Sequence, residues 1–230
     1  MTIDEIIAKA KATFRAKWEV RDGRKVPEVT DLTSANDGLK LTGTVLYADM
    51  ADSTALVDGF KSEFAAEVYK TYLMGTCEVI RNNGGEITAF DGDRVMGAFI
   101  GDYKNTSAAK AALQIYAHVR ALNAAIKESY PTTSYTLRHS VGVDTSDLLV
   151  AKTGIWKHND LVWIGKAANL AAKLCALGDA TYPSFITEAV FSKLHDEGKY
   201  GGNPRQLMWE KWIWNERGIV VYRSNWNWKF

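Results

Sequence analysis

Apolar positions in the first 18 residues recur at helical spacing. Ile3, Ile6, Ile7, Ala10 and Phe14 fall on one stripe, and Thr2 or Asp4 is placed to cap the start. The pattern predicts an amphipathic helix over 3–18 whose apolar side needs a partner surface. Residues 21–36 are polar, with Gly23 and Pro27 among Thr, Ser, Asn and Asp, and read as a connector. The chain thus divides into an N-terminal helix and connector, 1–38, and a main domain, 39–230.

In the main domain the period changes. Residues 41–48 are β-branched and apolar, as in a strand, and run directly into Asp49-Met-Ala-Asp-Ser-Thr54. A helical region over 56–80 follows and ends at Asn82-Asn-Gly-Gly85. Two strands, 86–90 and 94–100, are joined by Asp91-Gly92-Asp93, a D-G hairpin signal. Residues 108–126 predict a second amphipathic helix, 135–143 and 147–152 two strands, 154–160 a loop, and 165–177 an Ala-rich helix stopped by Gly178. The order β, α, β, β, α, β is the ferredoxin-like plan of an α+β protein. Near the end, Trp212 and Trp214, then Trp226, Trp228 and Phe230, alternate at strand spacing. They predict an aromatic β extension lying on the sheet or on a second chain.

Composition narrows the function classes. Twenty-eight basic against 27 acidic residues leave a charge of +1, so no general field attracts DNA or an anionic membrane surface. An anionic ligand needs a local site. Cys77 and Cys175 lie far apart with no CxxC partner, which points to two small buried hydrophobes and a reducing, cytoplasmic setting. No apolar run reaches the length of a membrane span, and no signal-peptide stretch opens the chain. The four histidines form no ligand pattern, and no Ser/His/Asp, P-loop or GxGxxG arrangement is present.

Three groups of residues are candidates for chemistry. Asp49 ends a predicted buried strand and Asp93 sits in the turn of the hairpin expected beside it, so their carboxylates converge. With the Met50 backbone carbonyl, such a pair can hold two Mg²⁺ or Mn²⁺ for in-line attack at phosphorus, although Asp is also an ordinary turn and cap residue. Asp52, Ser53 and Thr54 open a helix, which suits the outer phosphates of a nucleotide or a plain N-cap. Asn169 and Lys173 lie four apart on the Ala-rich helix and share one face, as a ligand contact or an exposed polar stripe.

Taken together, residues 45–54 (VLYADMADST), 84–99 (GGEITAFDGDRVMGAF) and 162–173 (VWIGKAANLAAK) resemble the class III nucleotidyl cyclase catalytic domain in order, spacing and context. The resemblance covers roughly residues 40 to 190. It implies metal ligation by Asp49 and Asp93, ribose orientation by Asn169 and α-phosphate stabilisation by Lys173, where the family has Arg. A Lys keeps the charge but not the bidentate fork. The resemblance also implies a homodimer with each site shared between two chains, and a phosphate contact from Lys211.

The departures concern the base. Family members acting on ATP carry a Lys and an Asp that read adenine, at positions occupied here by Ala89 and Val162, and the guanine code is missing too. The family's Gly after the first Asp is Asp52. The motifs are most similar to the stand-alone pyrimidine cyclases of the bacterial Pycsar antiphage system. That similarity implies conversion of UTP to 3′,5′-cyclic UMP and pyrophosphate as a second messenger for a separate effector, with Tyr47, Phe90, Arg94 and Trp163 completing the base pocket. The alternatives are a cytidylate cyclase, a purine cyclase with an altered base code, a nucleotide-binding homologue without catalysis, and a palm-type polymerase or nuclease, which the charge balance disfavours.

Overall fold

The computed structural model describes residues 1–155 and 157–229. Helix α1 (Ile3–Arg15) begins with a capping box: Thr2 Oγ1 accepts from the Glu5 N–H at 3.3 Å, and the Glu5 carboxylate accepts from the Thr2 N–H at 2.7 Å. None of its residues is buried; Asn36 ties its end to the domain, donating from Nδ2 to the Thr13 and Ala16 carbonyls. The connector is not wholly irregular. Strand β1 (Glu19–Asp22) pairs in parallel with the start of β2 (Asp37–Ala51). Strand β2 begins earlier and ends later than its apolar stretch predicts.

The helical region after β2 is two helices, α2 (Ser53–Gly59) and α3 (Ser62–Asn82), separated where Phe60 and Lys61 take extended backbone. Phe60 packs there on Phe64 and Tyr135. The predicted hairpin follows as β3 (Glu86–Asp91) and β4 (Arg94–Phe99), and α4 (Lys104–Ser129) crosses back. The next expectation fails. The two strands predicted over 135–152 are one 18-residue strand, β5 (Arg138–Ile155), and part of the predicted loop belongs to its partner β6 (His158–Gly165). The polar run that suggested a break finds partners inside the fold: Thr145 bonds Thr44 and the Gly43 carbonyl, and Asp144 Oδ1 accepts from Thr187.

Helix α5 (Lys166–Cys175) follows β6 without a loop. Beyond it come β7 (Ser184–Thr187), α6 (Glu188–Phe191), α7 (Asp196–Lys199), the short pair β8 (Tyr200–Gly201) and β9 (Gln206–Leu207), then β10 (Glu210–Trp214) and β11 (Ile219–Ser224). The main sheet runs β10-β11-β7-β5-β2-β4-β3, with β1 on β2 and β6 on β5. Its segment β5-β2-β4-β3 is antiparallel throughout, the ferredoxin-like order expected from the element sequence.

Alternation gives β2 two buried faces. Leu46 and Ala48 join Val95, Phe99, Val141 and Val143 beneath α3 and α4, whose Val79, Ile80, Ala108, Ala112 and Ile115 close that core. Leu39, Leu41 and Val45 face α5 with Leu148, Val150 and Trp163. Cys77 and Cys175 are free; burial pushes the Cys175 thiol up to about 12, so it packs as a small apolar group. In the aromatic extension, Trp212 and Trp214 lie on β10 as predicted. Trp226 and Trp228 are not in a strand: the Trp226 N–H turns to the Ser224 hydroxyl at 3.1 Å, and both rings pack against the core around Trp209. Phe230 lies outside the described residues.

Helix and sheet approach closely at Gly142 of β5. A Cβ there would fall 2.1 Å from the Ala171 carbonyl oxygen and 2.5 Å from the Cys175 backbone nitrogen. Helix α5 therefore sits flush on the sheet, against its own Ala167, Ala168 and Ala171. Gly142→Val should lower stability by roughly 2–3 kcal/mol in urea unfolding, through overpacking. Gly59→Ala, with nothing within 4 Å, should stay within about 0.5 kcal/mol of wild type. A wild-type midpoint for Gly142→Val would show that α5 is not seated this way.

Candidate active site

Toward its end β2 opens on one side: Tyr47, Asp49 and Ala51 are half-buried while Leu46, Ala48 and Met50 remain covered. Asp49 lies on the α5 side, opposite Arg94 of β4 and Ser140 of β5. Strand β4 starts at Arg94, so β2 runs two residues past its last pair with β4. The hairpin turn beside it is made by Gly92 at φ +62° and brings Asp91 and Asp93 toward Asp49. Burial raises the Asp49 carboxyl above the usual carboxylate range; Arg94 opposes this, and the negative charges of Asp93 and Asp91 add to it.

This field fits a hard cation. A half-buried carboxylate repelled by two others is relieved by a bound positive ion, and carboxylate and carbonyl oxygens are the donors that Mg²⁺ and Mn²⁺ prefer. Among the described residues no group of three or more His, Cys, Asp or Glu is gathered as a metal site. The donors on offer are therefore two carboxylates and backbone. Arg94 donates from Nη2 to Asp49 Oδ2 at 3.0 Å, and its guanidinium carbon lies 6.0 Å from the centre of the Tyr47 ring.

Asp52 occupies the N-cap position of α2 in the left-handed region, φ 57°, but its side chain does not cap the helix. It forms an ion pair with Arg138 of β5. Ser53 and Thr54 form the first turn behind it.

Asn169 and Lys173 share one face of α5 as expected, and that face is the exposed one. Because the opposite Ala face lies on β5 and β2, both side chains point away from the sheet surface that carries Asp49. Asn169 makes one long hydrogen bond, 3.4 Å to the Gly165 carbonyl, and Lys173 has no hydrogen-bond or ion-pair partner among the described residues. Lys166 lies on the same stripe, and with Leu170 it lines a cavity of about 430 Å³ closed opposite by Gly218, Ile219 and Val220. Lys211 is elsewhere. It sits on β10 opposite Tyr222, four strands from β2 and about 19 Å away at the usual strand spacing. Arg217, in the turn before Gly218, holds its guanidinium carbon 4.9 Å from the centre of the Trp214 ring.

The six residues read as a base pocket separate by strand alternation. Tyr47 and Ala89 flank Met96 across β2, β4 and β3 on the α5 side, with Arg94 at the edge, whereas Trp163 lies at the other end of that face, level with Val150 and Leu39. Phe90 and Val162 do not join them: each is one residue out of phase and lies on the opposite face, exposed. Trp163 is core rather than an open platform, and its indole N–H is buried without a partner among the described residues.

No family model matches the chain. It is 47% identical over 229 residues to a uridylate cyclase of Xanthomonas perforans, covering 98% of this chain and 97% of that one. It is 46% identical over 219 residues to a uridylate cyclase of Burkholderia cepacia, covering 94% and 93%. Its fold matches the crystal structure of an adenylyl cyclase from P. aeruginosa with a TM-score of 0.70 at 20% identity, over 81% of this chain and 95% of that one. The opening of β2 at Asp49, the acidic turn beside it and the exposed Asn169/Lys173 face are thus set in a class III cyclase fold, and the chain belongs to the uridylate cyclase family of nucleotidyl cyclases.

Proposed function

We propose that this chain converts UTP to 3′,5′-cyclic UMP and pyrophosphate at sites shared between two copies of itself. The observation that carries the reading is the acidic end of β2, Asp49 beside Asp91 and Asp93, in a chain 47% identical over nearly its whole length to a uridylate cyclase. In the reaction the ribose 3′-oxygen bonds to the α-phosphorus, the bond from that phosphorus to the bridging oxygen breaks, and the hydroxyl proton is lost. Asp49 and Asp93, with the Met50 carbonyl, would hold two Mg²⁺ or Mn²⁺, which supply positive charge to the triphosphate and to the departing pyrophosphate.

The chain's own groups provide orientation and local charge. Asp52 to Thr54 offer backbone N–H groups and two hydroxyls to the outer phosphates, and the Arg138 pair neutralises Asp52. Asn169 of the second copy orients the sugar, and Lys173 of that copy brings a point charge to the α-phosphate. The outward direction of both side chains supports a shared site, since one chain does not turn them onto its own Asp49. At the base, Ala89 presents no polar group where an adenine would need one. The resemblance to stand-alone antiphage pyrimidine cyclases supports a signalling role, the product being read by a separate cyclic-nucleotide-binding effector.

Incubation with each of the four nucleoside triphosphates and Mn²⁺, read by mass spectrometry, should give cyclic UMP as the main product. Cyclic CMP as the main product would move the substrate to CTP, cyclic AMP or cyclic GMP would remove the pyrimidine reading, and no cyclic product would remove the enzyme reading. Asp49→Asn should lower turnover at least about 1,000-fold with the fold retained. Asp49→Asn and Lys173→Ala chains, inactive alone, should recover about a quarter of wild-type activity when co-expressed, since mixed dimers rebuild one site of two. Activity no higher than that of the separate variants would exclude a shared site.

A further inference from the structure

Asp49 and Arg94 face each other across β2 and β4, and the Arg94 guanidinium holds one oxygen of the carboxylate at 3.0 Å. The pair stands where β4 begins and the sheet opens, with the Asp49 side chain 25% and the Arg94 side chain 36% exposed. Only one of the five guanidinium donors is used in this contact, and Arg94 Nε is buried with no acceptor among the described residues. The Tyr47 face lies within reach of the same guanidinium. A divalent ion arriving at Asp49 meets a cation already on its ligand.

We infer that Arg94 is a latch on Asp49: it closes on the carboxylate in the ion-free chain, and it swings off toward Tyr47 when an ion takes its place. The inference rests on Asp49 being a metal ligand as proposed above. The unused donors, Nε among them, then become available to an acceptor on the incoming nucleotide, so ion binding and nucleotide binding are coupled through one side chain. Partial exposure keeps the latch weak enough for a divalent ion to open. Arg94 is thus a positioning residue for the metal site.

The test is Mn²⁺ binding to the full chain without nucleotide, read by the electron paramagnetic resonance of free Mn²⁺. Arg94→Gln should bind Mn²⁺ about fivefold more tightly than wild type, equivalent to ~1 kcal/mol. In protein with ¹⁵N-labelled arginine, Mg²⁺ should also shift the Arg94 Nε–H signal, identified by its loss in Arg94→Gln. Equal or weaker Mn²⁺ binding by Arg94→Gln overturns the latch and leaves the metal site standing, as does an unmoved Arg94 signal at Mg²⁺ levels that displace Mn²⁺. Mn²⁺ affinity unchanged in Asp49→Asn overturns the metal site itself, and the latch with it.

Discussion

The seat of α5 on β5 is the contact from which the geometry of the site follows. Because Gly142 has no side chain, the helix backbone comes within a distance of the strand that no other residue permits. The Ala167, Ala168 and Ala171 face is thereby turned inward, and Asn169 and Lys173 are left on the other side of the helix. A longer side chain on either surface would tilt α5 and rotate those two groups. The outward direction of Asn169 and Lys173, on which the proposed sharing of the site rests, is thus a consequence of packing, and the same packing covers the apolar face that carries Val45, Met96 and Ala98.

The same apolar face bears on Ala89, at the position where the proposed base reading departs from the purine cyclases. Ala89 is half-buried opposite Met96 in an apolar group, where an ionised side chain would carry a desolvation cost. A base end lined by Tyr47 and Ala89, as proposed, would offer shape and aromatic surface in place of a charged reader. Discrimination of this type works by leaving the wrong base's polar groups unmet.

The sequence made the ferredoxin-like core and the acidic hairpin legible for local reasons: β-branched runs mark β2 and β4, and Asp91-Gly92-Asp93 has few other uses than a tight turn. It was less informative where local pattern and tertiary partner disagree. Asp144, Thr145 and Ser146 look like a break but lie within a buried strand, because Thr187, Thr44 and the Gly43 carbonyl are in reach. His158 to Asp160 look like a loop and pair with β5. Trp226 and Trp228 have strand spacing, yet Ser224 takes the backbone N–H that would continue the ladder. Of the site, Asp49, Asp93, Asn169 and Lys173 could be singled out from motif and spacing. Their mutual directions could not be read, nor could the phase of Phe90 and Val162, since a single-residue step reverses the face of a strand.

A charge of +1 over the whole chain conceals a local arrangement. Asp49 feels the negative charges of Asp93 and Asp91, and Asp52 follows directly on the end of β2; such carboxylates at a sheet opening would weaken the strands that carry them. Two arginines on the flanking strands meet this load, Arg94 of β4 on Asp49 and Arg138 of β5 on Asp52. Each stands across the sheet from β2, so the countercharge comes with the strand pairing and needs no separate loop. An acidic site balanced in this way remains folded before any ion binds. Metal ions bound as proposed would exchange for the Arg94–Asp49 pair instead of filling a bare anionic pocket, which would let a nearly neutral protein take a highly charged ligand without a basic surface.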